Sequence, residues 1–289
     1  MGSLEKLVPT LLNRFYPHLA SVEEVRLLTA RACFVCGFGW EGVFKYHADW
    51  AFDRVPFMEE VYQAVSESGI ASTLYLGADG QLFHQFEGGL YSLQRMVAGK
   101  PPTISDGETV AVSLADLHAV LARVSFGPIE HHLRPVTRGL LERAHGYGLK
   151  AEAKVIEFAD EYLRNSPVQI VHGDLHPGNI LVNGDKAMFI DFDSAHTGNS
   201  FQEFVLAAFR LYGADCDSVM RFIEGCEMFP AQFGKQSILM GSLAVHGIMR
   251  RLVFILSERE RGITSWVDDL ENQRYLLSEA MRLAESAGL

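Results

Sequence analysis

The sequence predicts an α+β protein with two lobes: a small antiparallel β-sheet lobe with an inserted helix, then a larger, mainly helical lobe. Strand-forming runs separated by glycine turns dominate the N-terminal part. Apolar residues at helical spacing dominate the remainder. Between them lies AGKPPTISDG (98–107), a composition typical of a boundary. We therefore assign residues 1–97 to the first lobe and residues 98–289 to the second.

The first lobe is predicted to begin with a helix over residues 4–19 and to continue as a sheet. The runs VEEVRLL, ACFVCGF and WEGVFKYH, between residues 22 and 47, have strand composition and are separated by tight turns. A helix is predicted over Val55–Ser68, since its apolar residues fall on one side. Three further strands are predicted at residues 72–77, 81–87 and 90–97.

The second lobe is predicted to contain one β-hairpin, between Val168 and Phe192, among helices. Asn183 and Gly184 indicate the hairpin, because both tolerate the positive φ of a tight turn. Apolar periodicity predicts the helices. These cover residues 108–124, 151–164, 201–212, 241–257 and 268–286.

Composition and charge exclude several classes of protein. The 289 residues carry 25 Lys and Arg against 36 Asp and Glu, a net charge of −11. An acidic protein lacks the basic surface that nucleic-acid binding requires, so we expect no nucleic-acid partner. We find no apolar run of the ~18 residues that a membrane span needs, and no signal-peptide pattern near the N-terminus. We therefore expect no membrane partner and a cytoplasmic location.

The stretch VHGDLHPGNILVNGDKAMFIDFD (171–193) concentrates the candidate catalytic residues. Folding ILV back on AMFI places Asn179 level with residues 188–190 and therefore next to Asp191. Geometry alone thus gathers Asp174, Asn179 and Asp191 at one end of a hairpin. Two carboxylates and an amide oxygen are ligands suited to Mg²⁺ on phosphates. A carboxylate also suits acceptance of a proton from an attacking hydroxyl. A transition-metal site at His172, Asp174 and His176 is disfavoured, because Pro177 and Gly178 break the helix it would need.

HGDLHPGN followed by IDFD resembles the catalytic and metal-binding loops of the aminoglycoside phosphotransferase and choline kinase-like superfamily, which has a two-lobe protein kinase-like fold. By that resemblance, Asp174 would be the base that orients the acceptor hydroxyl. Asn179 and Asp191 would hold Mg²⁺ on the phosphates of ATP. Asp193 would add a metal or substrate contact, and His172 would support the loop.

The resemblance extends into the first lobe. VFKYH is similar to the third strand of the family's small lobe, which would place Lys45 on the α- and β-phosphates. FMEEVYQAV resembles the helix whose Glu pairs with that lysine; we prefer Glu59 to Glu60 because Gly69 follows it by ten residues. YSLQRMVAG resembles the hinge. Its main-chain groups near Arg95 and Val97 would hydrogen-bond the adenine.

The chain departs from the family pattern at two places. Many members carry an Asp at the fifth position past a Gly that follows DFD, whereas here Glu203 follows Gly198. A Glu there would replace the missing helix-start carboxylate with altered reach. The loop at residues 29–31 has no glycine with which to grip a phosphate. GFGWEG (37–42) fits a nucleotide-binding glycine pattern, but strand character follows it, and we interpret it as a β-turn.

These observations predict an ATP- and Mg²⁺-dependent phosphotransferase acting on a hydroxyl of a small molecule: an aminoglycoside or other antibiotic, an amino alcohol, a sugar or a homoserine-like alcohol. A Ser/Thr protein kinase-like enzyme and a nucleotide-binding pseudokinase are the alternatives.

Nine acids against three bases lie between Asp174 and Glu227. Glu203, Asp215, Asp217, Glu224 and Glu227 among these acids are candidates to line a pocket for a cationic acceptor, although solvated helix faces explain them equally well.

Overall fold

The structure is a computed structural model of the 289-residue chain. It describes residues 4–19, 21–29, 31–47, 49–127, 139–149, 152–213, 215–224, 236–260 and 270–286.

The first lobe is an antiparallel sheet with a helix packed on one side and a second helix inserted in the chain. Its elements are α1 (Leu4–Phe15), β1 (Val22–Thr29), β2 (Ala32–Gly37), β3 (Trp40–His47), α2 (Val55–Ser68), β4 (His84–Phe86) and β5 (Gly89–Arg95). The five strands found in the described part of the chain lie in the order β1-β2-β3-β5-β4. Phe38 and Gly39 form the turn between β2 and β3, and Gly39 has the φ of 79° that favours glycine. The interpretation of GFGWEG as a turn is thus confirmed.

The alternation of side chains along β3 divides its residues between two environments. Phe44 and Tyr46 pack with α1 and the neighbouring strands in the core of the first lobe. Lys45 and His47 lie on the opposite face, because successive side chains of a strand point to opposite sides. Both approach Asp193 from that face. Because side chains alternate along β3, the side chain of Lys45 points toward the second lobe.

The second lobe is built mainly from helices. They are α3 (Gly107–Leu121), α4 (Gly139–Gly146), α5 (Ala153–Asn165), α6 (Ser200–Tyr212), α7 (Cys216–Glu224), α8 (Gln236–Glu260) and α9 (Leu270–Ser286). Between α5 and α6 the chain forms β6 (Gln169–Val171), β7 (Ile180–Asn183), β8 (Lys186–Phe189) and β9 (His196–Gly198). β7 and β8 form the predicted hairpin, while β6 pairs with β9. The main apolar core runs through these helices and includes the inner face of α2.

Several element predictions need correction. Residues 72–77 were expected to be a strand, yet they join the sheet only through an isolated bridge between Leu74 and Gln94. Ser72 donates instead to the carbonyl of Phe189, so this segment connects the two lobes. The strand at residues 81–87 shrinks to the three residues of β4. α4, α7 and the β6–β9 pair were not predicted, because short elements display too little periodicity.

Helix α8 qualifies, by length and composition, as a candidate membrane span. The qualifying segment, Ile238–Ser257, is the one found in the described part of the chain, and it corrects the statement that no such run exists. Of its apolar window, 67% is buried inside the structure, and core helices of globular proteins pass the same test. The absence of a membrane partner therefore stays a prediction.

Candidate active site

A tight hairpin joins the two halves of the candidate site. β7 and β8 pair in register, with Gly184 and Asp185 as the two-residue turn. Beyond the last pair, the N–H of Ile190 donates to the carbonyl of Asn179 over 3.1 Å. Asn179 therefore lies level with Ile190 and next to Asp191, as the sequence predicted.

Asn179 closes the loop that carries Asp174. Its side-chain nitrogen Nδ2 donates to the carbonyl of Asp174 over 2.9 Å, and its main-chain N–H donates to the carbonyl of His176 over 2.8 Å. No described residue hydrogen-bonds to its Oδ1 atom. The Nδ2 atom of Asn179 thus stabilises the loop. Its Oδ1 atom, the one that could bind a metal ion, has no described partner.

Two arginines of the helical lobe approach the Asp174 carboxylate. Its Oδ1 atom lies 3.5 Å from Nη1 of Arg210 and 3.9 Å from Nη1 of Arg251. Burial opposes ionisation of Asp174, but the two guanidiniums outweigh it, and the pKa lies below its usual value. Asp174 is therefore ionised at neutral pH and able to accept a hydrogen bond.

Glu203, on the first turn of α6, anchors the main chain before Asp174. Its Oε2 accepts from the N–H of His172 over 3.0 Å and from Nε2 of His118 over 2.9 Å. Its Oε1 accepts from the N–H of Gly173 over 2.5 Å. Burial raises its pKa, but these donors outweigh burial and lower the pKa from 4.5 to about 2. Glu203 therefore anchors the loop before Asp174, a role that the sequence, which suggested only a carboxylate at the start of a helix, did not predict.

His172 and Gly173 connect the loop of Asp174 to the segment around Asp191. Nε2 of the buried His172 donates to the carbonyl of Ile190 over 2.9 Å, and its Nδ1 accepts from the N–H of Asp174. Gly173 has a φ of 84°, and a Cβ there would lie 2.2 Å from the Ser194 carbonyl oxygen. Only glycine fits between these two loops. The geometry places His172 as a support for the loop.

Lys45 pairs with both aspartates of the IDFD segment. Its Nζ lies 2.8 Å from Oδ1 of Asp191 and 3.4 Å from Oδ2 of Asp193. Burial opposes the lysine charge, but the two carboxylates outweigh it and raise its pKa. Burial likewise opposes the Asp193 charge, yet His47 and Lys45 hold that pKa far below its usual range. His47 donates from Nδ1 to Asp193 over 2.9 Å and contacts Ser92 through Nε2.

Asp191 and Asp193 differ in exposure and backbone geometry. Asp191 adopts a left-handed conformation with φ 69° and ψ 68°, which is uncommon for a residue other than glycine. Its side chain is 40% exposed, whereas that of Asp193 is 19% exposed. Strained backbone of this kind persists at functional sites where the surrounding structure imposes it. The outer carboxylate, Asp191, is the one open to an incoming ligand.

The expected pairing of Glu59 with Lys45 is not found. Within the described residues, the ion pairs of Lys45 are those with Asp191 and Asp193. The rotation of α2 explains this, because Tyr62 is the residue of α2 that faces Lys45. Its buried hydroxyl oxygen lies 3.4 Å from the N–H of Phe192, and Lys45 is near enough to influence its pKa. Glu59 is half-buried and Glu60 is exposed.

The two residues predicted for the hinge, Arg95 and Val97, differ in whether their main-chain groups are already hydrogen-bonded. The N–H of Arg95 donates to the Thr73 carbonyl over 2.8 Å, and its carbonyl accepts from Ser72. The Arg95 side chain stacks over the Tyr75 ring at 4.2 Å. In contrast, no described residue hydrogen-bonds to the main chain of Val97. Val97 therefore keeps the free main-chain groups expected of a hinge, while those of Arg95 are already engaged.

A cleft opens beside Asp174, and its charge is not what the acid count suggested. Of the acids proposed for a cationic pocket, Glu203 lines it, but both its oxygens are engaged by the loop. Asp215 caps α7 through Ser218, and Asp217 is exposed. The Glu224 side chain and Glu227 lie outside the described residues. The described cleft wall instead includes Arg210, Arg250 and Arg251.

Sequence reasoning missed several residues of the site. His47 had a readable signal, since it follows Lys45 by two positions in one strand and so shares its face. Arg210 had a weaker sequence signal: it follows Glu203 by seven residues on the same helix and so lies on the same face. Arg54 donates to the carbonyls of Asp193 and Ala195 but belongs to a distant short helix. No local pattern in the sequence indicates such a contact.

Comparison with solved structures identifies the fold. A spectinomycin phosphotransferase in complex with ADP and spectinomycin is 11% identical, with 99% of each chain covered and a TM-score of 0.71. An amicoumacin kinase in complex with AMP-PNP and Ca²⁺ is 14% identical, with 96% of this chain and 94% of that chain covered and a TM-score of 0.69. A choline kinase from Streptococcus pneumoniae is 14% identical, covering 98% and 99%, with a TM-score of 0.65. The predicted two-lobe protein kinase-like fold is confirmed.

The family follows from a separate comparison. A family model, the phosphotransferase enzyme family (APH), matches residues 17–225. The chain belongs to this family and is a phosphotransferase, a kinase whose acceptor group is an alcohol. A search of curated proteins found no significant match.

Proposed function

We propose that the protein transfers the γ-phosphate of ATP, with Mg²⁺, to a hydroxyl of a small molecule. The convergence of Asp174, Asn179, Asp191 and Lys45 around one hairpin carries this proposal. Hydroxyl phosphorylation needs a carboxylate near the acceptor, ligands for the metal and a cation on the phosphates. The four residues supply these groups.

The donor set fits Mg²⁺ bound jointly with a nucleotide. The Oδ1 atoms of Asn179 and Asp193 have no described hydrogen-bond partner, and the Asp193 atom is buried. Asp191 offers its exposed carboxylate. No cluster of three or more His, Cys, Asp or Glu side chains in the described residues forms a complete cage for a metal. Mg²⁺ does not require one, since it commonly binds through one or two carboxylates, waters and phosphates. Bound there, the ion would neutralise phosphate charge.

Lys45 is placed to exchange partners when the nucleotide enters. Its present contacts, Asp191 and Asp193, are the residues that would take the metal. Phosphate oxygens would then replace Asp191 as the contact of the lysine, while Asp193 would keep the hydrogen bond from His47. Asp191 and Asp193 raise the pKa of Lys45, so the lysine is charged before the nucleotide enters. Positioning and electrostatic stabilisation of this kind account for most of the catalysis of phosphoryl transfer.

Asp174 would orient the acceptor. In an in-line displacement, the acceptor oxygen bonds to the γ-phosphorus as the bond to the bridging oxygen of ADP breaks. The lowered pKa of Asp174 makes it a weak base, so its main contribution is to align the hydroxyl and to receive its proton as the new bond forms. Arg210, Asn179 and His172 keep its loop in place.

The nucleotide base and the acceptor would occupy separate sites. The free main chain of Val97 is the best-supported contact for adenine. The cleft beside Asp174 is the candidate acceptor pocket, because it opens next to the carboxylate that would orient the hydroxyl. Solved structures with the same fold include a spectinomycin phosphotransferase and an amicoumacin kinase, which supports a small-molecule acceptor over a peptide.

Replacing Asp174 by Asn tests the assignment. D174N should bind Mg·ATP with unchanged affinity, measured by calorimetry, while its turnover with a panel of hydroxyl compounds falls by about a hundredfold or more. D185N is the matched control, because Asp185 lies exposed in the hairpin turn. Full turnover in D174N would refute the role of Asp174. Nucleotide binding without phosphorylation of any panel member would favour a pseudokinase.

A further inference from the structure

The cleft beside Asp174 carries a cluster of guanidinium groups. Arg210 projects from α6, while Arg250 and Arg251 are neighbours on α8, and all three line the cleft in the described part of the chain. Asp174 and Glu203 are the carboxylates found in the same lining. The formal charge of the described wall is therefore positive, in a protein whose net charge is −11.

Within the residues that the structure describes, neither carboxylate of the cleft wall pairs with Arg250. Glu203 uses both oxygens on His118 and on the main chain before Asp174. Asp174 has Arg210 at 3.5 Å and Arg251 at 3.9 Å. Arg210 also donates to the carbonyl of Leu175 over 2.5 Å. Asp174 thus lies close to Arg210 and Arg251, and no ion pair between Asp174 and Arg250 is found.

Arg250 is the third arginine, and it lies beside two imidazoles, those of His196 and His246. No hydrogen bond or ion pair of this partly buried side chain is found with the residues that the structure describes. Burial lowers its pKa to about 10, so it stays charged at neutral pH. Burial lowers the pKa of His196 to about 4 and also lowers that of His246, and the nearby charge of Arg250 acts in the same direction on both imidazoles. His196 is therefore uncharged at neutral pH.

A charged group in such a setting is costly unless a counter-ion accompanies it. Arginine binds carboxylates and phosphates with special geometric fit, because its planar fork matches two acceptor oxygens. A cationic acceptor would instead meet repulsion from Arg250, which no described carboxylate accompanies. The geometry favours an anion opposite Arg250 and a hydroxyl beside Asp174.

We propose that the acceptor carries, besides its hydroxyl, an anionic group, a carboxylate or a phosphate, which Arg250 binds with Arg210 and Arg251 nearby. This inference rests on the proposed phosphotransferase function and names its substrate class. Arg250 then determines the specificity for the acceptor. An anionic acceptor thus takes the place of the cationic acceptor that the acid count suggested.

Acceptors with matched carbon skeletons test the proposal. Glycerol, glycerate, glycerol 3-phosphate and 3-amino-1,2-propanediol share three carbons and differ in charge. Homoserine and 3-aminopropanol differ by one carboxylate. With Mg·ATP and the full chain, we expect kcat/KM for an anionic member to exceed that of its neutral or cationic counterpart at least tenfold. The contrast between glycerate and glycerol 3-phosphate distinguishes carboxylate from phosphate recognition. Equal or better use of the neutral or cationic members would overturn the proposal.

Arg250→Met keeps the apolar stem and removes the charge. It should lower kcat/KM for the anionic acceptor at least tenfold, and more than for the neutral counterpart, whereas Arg250→Lys should recover part of the loss. Arg259→Met, on the exposed end of the same helix, is the matched control. An R250M enzyme that keeps the preference for anions would contradict the assignment.

Calorimetry separates this inference from the proposed function. Binding of glycerate or glycerol 3-phosphate to the ADP-loaded protein should weaken in R250M relative to R259M. If such binding occurs but no hydroxyl is phosphorylated, the proposed function fails while the anion site stands. If ATP is spent only on neutral or cationic alcohols, the function stands and the anion site is wrong.

Discussion

The carboxylate of Glu203 holds the main chain of Gly173 by a hydrogen bond of 2.5 Å, across 30 residues of sequence. The same carboxylate accepts from the N–H of His172 and from His118. One buried side chain of α6 therefore fixes the residues immediately before Asp174. The position of the candidate catalytic carboxylate depends on this contact.

Replacing Glu203 by Gln should destabilise the protein. An amide removes the charge and turns one acceptor into a donor that faces other donors, which typically costs about 2–4 kcal/mol in a buried network. Urea unfolding should show this loss together with reduced kcat. Glu157→Gln on the exposed face of α5 is the control and should leave both unchanged. Wild-type stability in E203Q would contradict the anchoring role.

The lowered pKa of Glu203 predicts a pH dependence of stability. A carboxyl group whose folded pKa lies below its unfolded value stabilises the fold above the unfolded pKa, and the contribution disappears as the pH falls toward the folded pKa. The shift from 4.5 to about 2 places this loss between about pH 5 and pH 2. It corresponds to a contribution on the order of 3 kcal/mol. The free energy of unfolding of wild type and E203Q should therefore converge over this range; parallel curves would contradict the assignment.

Lys45→Met should weaken nucleotide binding. The variant leaves Asp191 and Asp193 facing each other without the cation that now joins them, and it removes the expected phosphate contact. We expect Kd for Mg·ATP to rise at least tenfold and kcat to fall, as measured by calorimetry and ADP release. Lys186→Met, in the exposed part of β8, should behave as wild type. Unaltered affinity in K45M would remove Lys45 from the nucleotide site.

The left-handed backbone conformation of Asp191 predicts different stabilities for its Ala and Asn variants. Asn tolerates this conformation, whereas Ala pays roughly 1–2 kcal/mol for it. Asp191→Ala should therefore be less stable than Asp191→Asn by about 1 kcal/mol in urea unfolding. Both should lose most activity, because neither keeps a carboxylate for the metal. Equal stability of the two variants would show that the backbone changes its conformation when Asp191 is replaced.

The hairpin and its residues could be predicted from sequence because their determinants are local. A turn signal at Asn183 and Gly184 and a short strand on each side suffice to place Asn179 next to Asp191. Lys45 was predicted from the resemblance of VFKYH to the third strand of the family's small lobe. The pairing of Glu59 did not follow, because the rotation of α2 depends on how its apolar face packs in the core. That packing brings Tyr62 toward Lys45.

The sequence by itself determined the class of fold, the two lobes and the grouping of Asp174, Asn179 and Asp191, since these depend on periodicity, turn chemistry and spacing along the chain. Lys45 came from the resemblance of its strand to the family. The tertiary structure decided the charge of the cleft. Arg210 and Arg250 lie 40 positions apart in sequence, and only the packing of α6 against α8 brings them to one wall. Net charge sums every side chain equally, whereas a ligand meets only those that the fold leaves facing the cleft.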